Sequence, residues 1–174
     1  MADAAGTLDQ TIRDITIKTG KYLTFSLAGE SYGIGILKVK EIIGMMPITP
    51  VPRTPEFMKG VINLRGKVIP VIDLRLKFSM PPMEYSERTC IIVVEIDSET
   101  DTVLTGIVVD AVSEVMNIGE QDIEDPPTFG TRMDTNYITG MGKTEDDVKI
   151  LLNIDRVLSS TEISRLEAAS RPSD

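Results

Sequence analysis

The sequence predicts a mainly β fold: two small five-stranded β-barrel subdomains packed side by side, with short helices and a C-terminal helix. Three observations predict it. Short apolar runs, several alternating with period two, are separated by turn residues. One set of glycine and apolar positions recurs along the chain. Near the C-terminus a capping signal precedes apolar residues at helical spacing.

Residues 1–19 are small and polar and read as a flexible tail. From residue 21 to 27, Leu23, Phe25 and Leu27 alternate with Thr24 and Ser26, the pattern of a half-buried strand. Ala28-Gly29-Glu30 is a turn, and residues 31–35 resume as a strand. Residues 39–45 form another β-branched run. Pro47, Pro50, Pro52 and Pro55 then forbid regular structure, leaving an ordered loop in which residues 55–59 suit one helical turn. Residues 60–64 and 67–74 flank Arg65-Gly66, a hairpin in which Gly66 supplies a positive φ. Pro70 cannot donate to a ladder and marks an edge strand or a bulge. Asp73 is placed to cap a short helix reaching Phe78.

After the linker opened by Pro81-Pro82, strands are expected at 88–96, 102–109 and 112–118. A second proline-containing loop covers 122–130, and strands at 137–141 and 148–152 flank the turn Glu145-Asp146-Asp147. Ser159 with Glu162 is a capping box that opens a helix carrying Ile163, Leu166 and Ala169 on one face.

Gly33, Ile34, Val39, Glu41 and Ile42 recur 73 residues later as Gly106, Ile107, Val112, Glu114 and Val115. Phe57, Gly60, Val68, Val71 and Ile72 recur 80 residues later as Tyr137, Gly140, Val148, Leu151 and Leu152. Two copies of one unit of about five strands are implied, each closing into a small barrel to hide its edges, with a groove at their seam. The expected organisation is a tail to residue 19 and a domain at 20–158, followed by a helix and tail at 159–174. The halves run roughly 32–87 and 88–158, with the first strand packing on either.

Composition excludes several chemistries. The chain has no histidine and one cysteine, so the usual general base, a zinc site and a Ser-His or Cys-His nucleophile are out of reach. Cys90, inside an apolar run, is expected to be a buried structural thiol, and one unpaired cysteine suits a reducing cytosol. A net charge of −9 disfavours nucleic acid and anionic membranes. No apolar stretch approaches the roughly 20 residues of a membrane span, and residues 1–14 lack a signal-peptide pattern. A cytoplasmic location is expected, with no metal, no cofactor, no nucleic-acid contact and no direct membrane insertion.

The acidic cluster Asp97, Glu99 and Asp101 lies in a turn without calcium-loop spacing. Glu41 and Glu114 read either as surface charges or as partner-facing groups. Gly66-Lys67 and Gly142-Lys143 have no phosphate cradle before them. What stands out instead is a supply of apolar side chains, nine methionines with several near rigid proline loops; each reads either as core filling or as an adaptable contact, and together they suit recognition.

ITPVPRTPEFMKGVINLRGKVIPVIDLRLKF (residues 48–78) and YGIGILKVKEI (32–42) resemble the CheW-type chemotaxis coupling domain, as do GIVVDAVSEVMNI (106–118), YITGMGK (137–143) and VKILLNIDRVL (148–158). The resemblance covers about residues 21–158, and the GVINLRG…PVIDLR combination is specific. It implies two five-stranded barrels side by side. It also implies a non-catalytic adaptor that couples the histidine kinase CheA, through its regulatory domain, to the cytoplasmic tips of methyl-accepting chemoreceptors. The adaptor would be recruited to receptor arrays at the inner membrane. Carried over by motif, the receptor-binding residues are Val39, Glu41, Gly60, Arg65, Val112 and Val115, along the groove between subdomains. The kinase-binding residues are Ile36, Lys59 and Phe129. Glu124 and Asp125 depart from the family, whose members often carry a basic residue and proline there.

The residues themselves leave alternatives. Arg65 is either a solvated turn residue or a bidentate partner for a carboxylate, and Val39, Val112 and Val115 read equally as core. Phe129, an aromatic in a proline loop, suits an interface anchor. Two rival functions are a CheW-like module of a larger signalling protein and a small carboxylate-dependent hydrolase. The chain's end at Asp174, without a further domain, favours a free-standing adaptor.

Overall fold

A computed structural model describes residues 20–97, 102–126 and 137–170. The tail at 1–19, Glu99 and Asp101 of the acidic turn, and Phe129 lie outside these residues.

Among the described residues, eleven strands are arranged in two sheets. They are β1 (Lys21–Leu27), β2 (Glu30–Gly35), β3 (Val39–Gly44), β4 (Met58–Leu64), β5 (Lys67–Asp73), β6 (Cys90–Asp97), β7 (Thr102–Val109), β8 (Ala111–Asn117), β9 (Ile123–Glu124), β10 (Ile138–Lys143) and β11 (Val148–Leu152). The α-helices among the described residues are α1 (Leu74–Lys77), α2 (Ile154–Val157) and α3 (Ser160–Ser170). One sheet has the order β8-β1-β2-β11-β10-β9 and the other β3-β6-β7-β5-β4.

These orders are the internal repeat made visible. Exchanging β1, β2, β3, β4 and β5 with β6, β7, β8, β10 and β11 converts one order into the other, β9 apart. Register agrees residue by residue. The parallel pair Leu151–Gly33 and Leu152–Ile34 has its counterpart in Val71–Gly106 and Ile72–Ile107. A bulge between Met58 and Gly60 is matched by one between Ile138 and Gly140. Asp73 N–H donates to the Phe57 carbonyl at 2.7 Å, and Asn153 N–H donates to the Tyr137 carbonyl at 2.7 Å. Asp73 and Asn153 then each cap the short helix that follows.

The copies are interleaved rather than stacked as contiguous halves. Hairpin β1–β2 lies in the sheet that holds β8, β10 and β11, and hairpin β6–β7 lies in the sheet that holds β3, β4 and β5. Each sheet therefore takes its central hairpin from one copy and its flanking strands from the other, so a division near residue 88 separates the copies but not the sheets. One sheet has five strands; the other gains a sixth, the two-residue β9. The counterpart of β9 is a single bridge between Thr49 and Val61.

The main apolar cluster draws from both sheets: Leu23, Phe25, Leu27 and Ile34 from one, and Ile72, Ile92, Val94, Ile96 and Ile107 from the other. Between the sheets, the depth of the expected groove is therefore filled by the protein's own side chains. A stack of rings, Phe25–Tyr32–Phe78–Tyr137, continues this core, with centroids 5.9, 6.3 and 5.1 Å apart. A smaller cluster of Ile62, Ile69, Val71, Ile91, Val93 and Val108 fills the concave side of the five-stranded sheet. Helix α3 is closed by the expected capping box: Ser159 N–H donates to Glu162 Oε1 at 2.8 Å, and Glu162 N–H donates to Ser159 Oγ at 3.2 Å. Its Ile163 and Leu166 are buried in the main cluster.

Three local expectations are corrected. Pro70 is on neither an edge strand nor a bulge; β5 is interior, and Pro70 precedes the parallel ladder with β7, which begins at Val71. Residues 55–57 form a turn, with Met58 N–H donating to the Pro55 carbonyl, because strand β4 already begins at Met58. Cys90 is half-buried, at the first residue of β6, with its thiol donating to the Arg88 carbonyl.

Candidate functional site

The motif residues fall mainly on edge strands and turns. Strand β3 is one edge of the five-stranded sheet, and β8 is one edge of the other. Both carry a bulge opposite the neighbouring strand, between Val39 and Glu41 in β3 and between Val112 and Val115 in β8. In β8 the bulge is pinned by Thr24, whose hydroxyl donates to the Glu114 carbonyl at 2.8 Å and accepts from the Glu114 N–H at 3.2 Å. A bulge re-aims the following side chains, and on each strand the residue just past it is an uncovered apolar one. Ile42 is 43% exposed and Val115 52% exposed, at matching positions of the two copies.

Val39 and Val112 sit on the other side of the bulges, half-buried against the main core. Their alternative reading as core is thus partly right, and Val115 is fully a surface residue.

Glu41 and Arg65 meet. The Arg65 Nη1 group donates to Glu41 Oε1 at 3.1 Å, and Nη2 donates to Oε2, a two-pronged pair. The β4–β5 turn presents Arg65 for this role, with Arg65 at φ 52° and Gly66 at φ 86°. The Asn63 carboxamide oxygen accepts the Gly66 N–H at 2.8 Å and steadies the turn. Since β3 and β4 are opposite edges of one sheet, the pair straps those edges together. Hydrogen bonding from Arg65 holds the Glu41 carboxyl below its usual range, and Glu41 raises the guanidinium. At the matching place in the second copy stand Glu114 and Glu145, two acids, so that strap has no equivalent.

Gly60 is not part of this surface. It is buried at φ 142°, where a Cβ would lie 2.1 Å from the Thr49 carbonyl oxygen. Its role is to let the proline loop close on β4, where Thr49 and Val61 exchange backbone hydrogen bonds of 2.8 and 2.9 Å.

Ile36 occupies the short 3-10 turn Ile36–Lys38 between β2 and β3, half-buried on the main core. Lys59, on β4, holds its ammonium 5.9 Å from the Tyr85 ring centroid. Burial first, then the Asp73 carboxylate that accepts the Tyr85 hydroxyl at 3.0 Å, push the Tyr85 pKa up. The structure thus brings Glu41 and Arg65 into contact; it sets Ile36 three residues before Val39, and Lys59 beside Tyr85.

Sequence reasoning missed several residues. Leu37, Ile42, Val68 and Val148 are exposed. Ile42 and Val68 were matched to Val115 and Val148 by the repeat, but a period-two pattern does not say which face is covered. Lys38 and Asp155 form an ion pair of 2.9 Å, and Arg75 and Asp110 one of 2.9 Å, all with largely covered side chains. Their separation in sequence hides both. Among the described residues, no group of three or more Cys, Asp or Glu is placed to hold a metal ion, and no helix is long and apolar enough to cross a membrane.

Residues 21–162 match the model of the CheW-like domain. The chain is 40% identical over 151 residues to the chemotaxis protein CheW of Klebsiella aerogenes, covering 87% of this chain and 89% of that protein. It is 35% identical over 144 residues to the chemotaxis protein CheW of Bacillus subtilis, covering 82% and 89%. Among solved structures, the scaffolding protein TtCheW from Thermoanaerobacter tengcongensis superimposes with a TM-score of 0.73 at 41% identity, over 83% of this chain and 97% of that one. With the same paired-sheet fold and the motifs on its edge strands, the chain belongs to the CheW-like domain family.

Proposed function

We propose that this chain is a non-catalytic adaptor that joins the histidine kinase CheA to the cytoplasmic tips of chemoreceptors and is recruited to receptor arrays at the inner membrane. The receptor is recognised along the rim formed by β3 and β8. The observation that carries this reading is the exposed Glu41–Arg65 pair beside uncovered apolar residues, Ile42 on β3 and Val115 on β8. A receptor helix laid along such a rim buries apolar anchors and offers carboxylates to the guanidinium. Val39 and Val112 support the anchors from beneath, and Gly60 acts through the proline loop rather than by contact.

The kinase docks on a face that includes Ile36 and Lys59, and Phe129 adds a second contact. A chain without histidine, belonging to a family of chemotaxis proteins, has no evident chemistry of its own. Its work is to fix two partners in one geometry.

Arg65→Glu tests the receptor assignment. Both side chains of the pair lie at the surface, so the fold persists. The substitution sets two carboxylates against each other and against an acidic receptor face. Receptor co-sedimentation and receptor-dependent kinase control are both expected to be lost; receptor binding at the wild-type level refutes the assignment.

A further inference from the structure

The two places where the chain leaves one sheet for the other are clasped in the same way, with opposite charge. Between β2 and β3 the crossing residue is Lys38, and between β7 and β8 it is Asp110. Lys38 Nζ lies 2.9 Å from Asp155 Oδ1 on α2, and Arg75 Nε on α1 lies 2.9 Å from Asp110 Oδ1. Arg75 and Asp155 are the same position of the repeat, 80 residues apart, each the second residue of its helix. In both clasps the carboxylate also accepts a backbone N–H from the end of the opposite hairpin where its two strands are joined. Asp97 N–H donates to Asp155 at 2.9 Å, and Ala28 N–H donates to Asp110 at 2.8 Å. At the Lys38 clasp, Asp97 adds a second carboxylate 3.1 Å from the ammonium.

The clasps differ in what surrounds them. Lys38 stands between Ile36 and Val39, so it separates a candidate kinase contact from the first residue of the candidate receptor strand by a single tethered turn. Among the described residues, neither candidate kinase contact, Ile36 or Lys59, adjoins Asp110 in the chain. The Lys38 side chain is 13% exposed and that of Asp155 15% exposed, so both charges depend on each other for solvation. Burial works against the charged ammonium, and Asp155 with Asp97 outweighs it, leaving the Lys38 pKa raised.

We propose that Lys38, held by Asp155 and Asp97, is a positioning residue that locks the kinase-facing turn to the receptor-facing strand, so that receptor engagement at β3 sets the kinase contact at Ile36. This inference rests on the adaptor reading above. The clasp makes neither contact itself; it transmits a fixed geometry between them.

The test uses full-length protein with receptor-containing membranes and CheA. Lys38→Met removes the cation, and Lys38→Arg keeps it. Asp155→Asn removes the partner charge while leaving an oxygen for the Asp97 N–H, which protects folding. Receptor binding without kinase and kinase binding without receptor are each expected to stay within about twofold of wild type. Receptor-dependent kinase stimulation is expected to fall by about tenfold in Lys38→Met and Asp155→Asn and to recover in Lys38→Arg, the size of an ordinary coupling between two sites. Stimulation at the wild-type level in a folded Lys38→Met or Asp155→Asn overturns the inference. So does a loss that merely follows a loss of one binding step, or unfolding of both variants, either of which assigns the clasp to contact or stability. If the wild-type protein binds neither partner, the adaptor reading falls as well; if it stimulates the kinase and the variants do too, only this inference falls.

Discussion

Replacing Gly60 by alanine is predicted to act on the proline loop and not on a binding surface, and its cost follows from the geometry. At φ 142° an L-residue is strained, and the new Cβ would sit 2.1 Å from the Thr49 oxygen and 2.7 Å from its carbonyl carbon, both backbone atoms that cannot rotate away. Backbone strain of this kind costs about 1–3 kcal/mol. Relieving the clash moves Thr49 and breaks its two hydrogen bonds with Val61, about 1 kcal/mol each in net terms. A total of about 3–5 kcal/mol is expected, a large share of the stability of a domain this size. The assay is urea unfolding followed by circular dichroism, with Gly140→Ala as the comparison. Gly140 lies at the matching bulge of the other copy, but its new Cβ would meet the Ile123 side-chain Cγ2 atom at 2.6 Å and the Glu124 oxygen at 3.1 Å, with no positive φ. Gly140→Ala should therefore cost clearly less. A Gly60→Ala cost under about 1 kcal/mol, or one equal to that of Gly140→Ala, refutes the reasoning; receptor binding lost without loss of stability returns Gly60 to the contact surface.

Three further outcomes follow from the structure. Glu162 is held below its ordinary value of 4.5 because Lys77 and the Ser159 N–H outweigh the effect of burial. Its contribution is thus complete above that value and lost as pH falls through the lower folded value; the stability gap between wild type and Glu162→Gln should close on acidification, and a gap constant with pH contradicts the assignment. Ile92→Ala, in the fully buried centre of the main core, should cost about 2–5 kcal/mol by urea unfolding, and a cost below 1 kcal/mol would mean that the seam is not packed as described. Fragments 1–87 and 88–174 should each be unfolded alone by circular dichroism, since the flanking strands in each fragment lack their central hairpin and its hairpin lacks flanking strands, and should regain β structure on mixing; a folded 1–87 fragment rules out the interleaved topology.

Much of the fold could be read before the structure. The offsets of 73 and 80 residues rest on Gly33, Gly106, Val71 and Leu151, and these are the residues that face each other in the two parallel ladders. They recur because a Cβ at Gly33 would lie 3.0 Å from Leu151, and one at Gly106 would lie 2.8 Å from Ile91. The caps at Asp73 and Asn153 and the Ser159–Glu162 box are local, so they too were legible. What a repeat cannot say is which copy's hairpin enters which sheet, because both assignments satisfy the same apolar pattern. Hence the interleaving, the interior place of Pro70 and the filled seam emerged only from the strand order. At the site, motif matching found the two partners of the Glu41–Arg65 strap but not their contact, since β3 and the β4–β5 turn are joined only by the curl of the sheet. The motif marks Gly60 by position and says nothing of its burial against Thr49, which only the structure shows.

On the proposed arrangement a receptor lies along the rim of β3 and β8 while the kinase uses another face. The most direct measurement is the change in backbone amide NMR shifts when an isotope-labelled chain is titrated with a receptor-tip fragment. Shifts are predicted to cluster at Lys40, Ile42, Arg65, Gly66, Val115 and Met116 and to spare Lys59 and Tyr85. Shifts centred on Lys59 and Tyr85, with β3 and β8 unmoved, would contradict it.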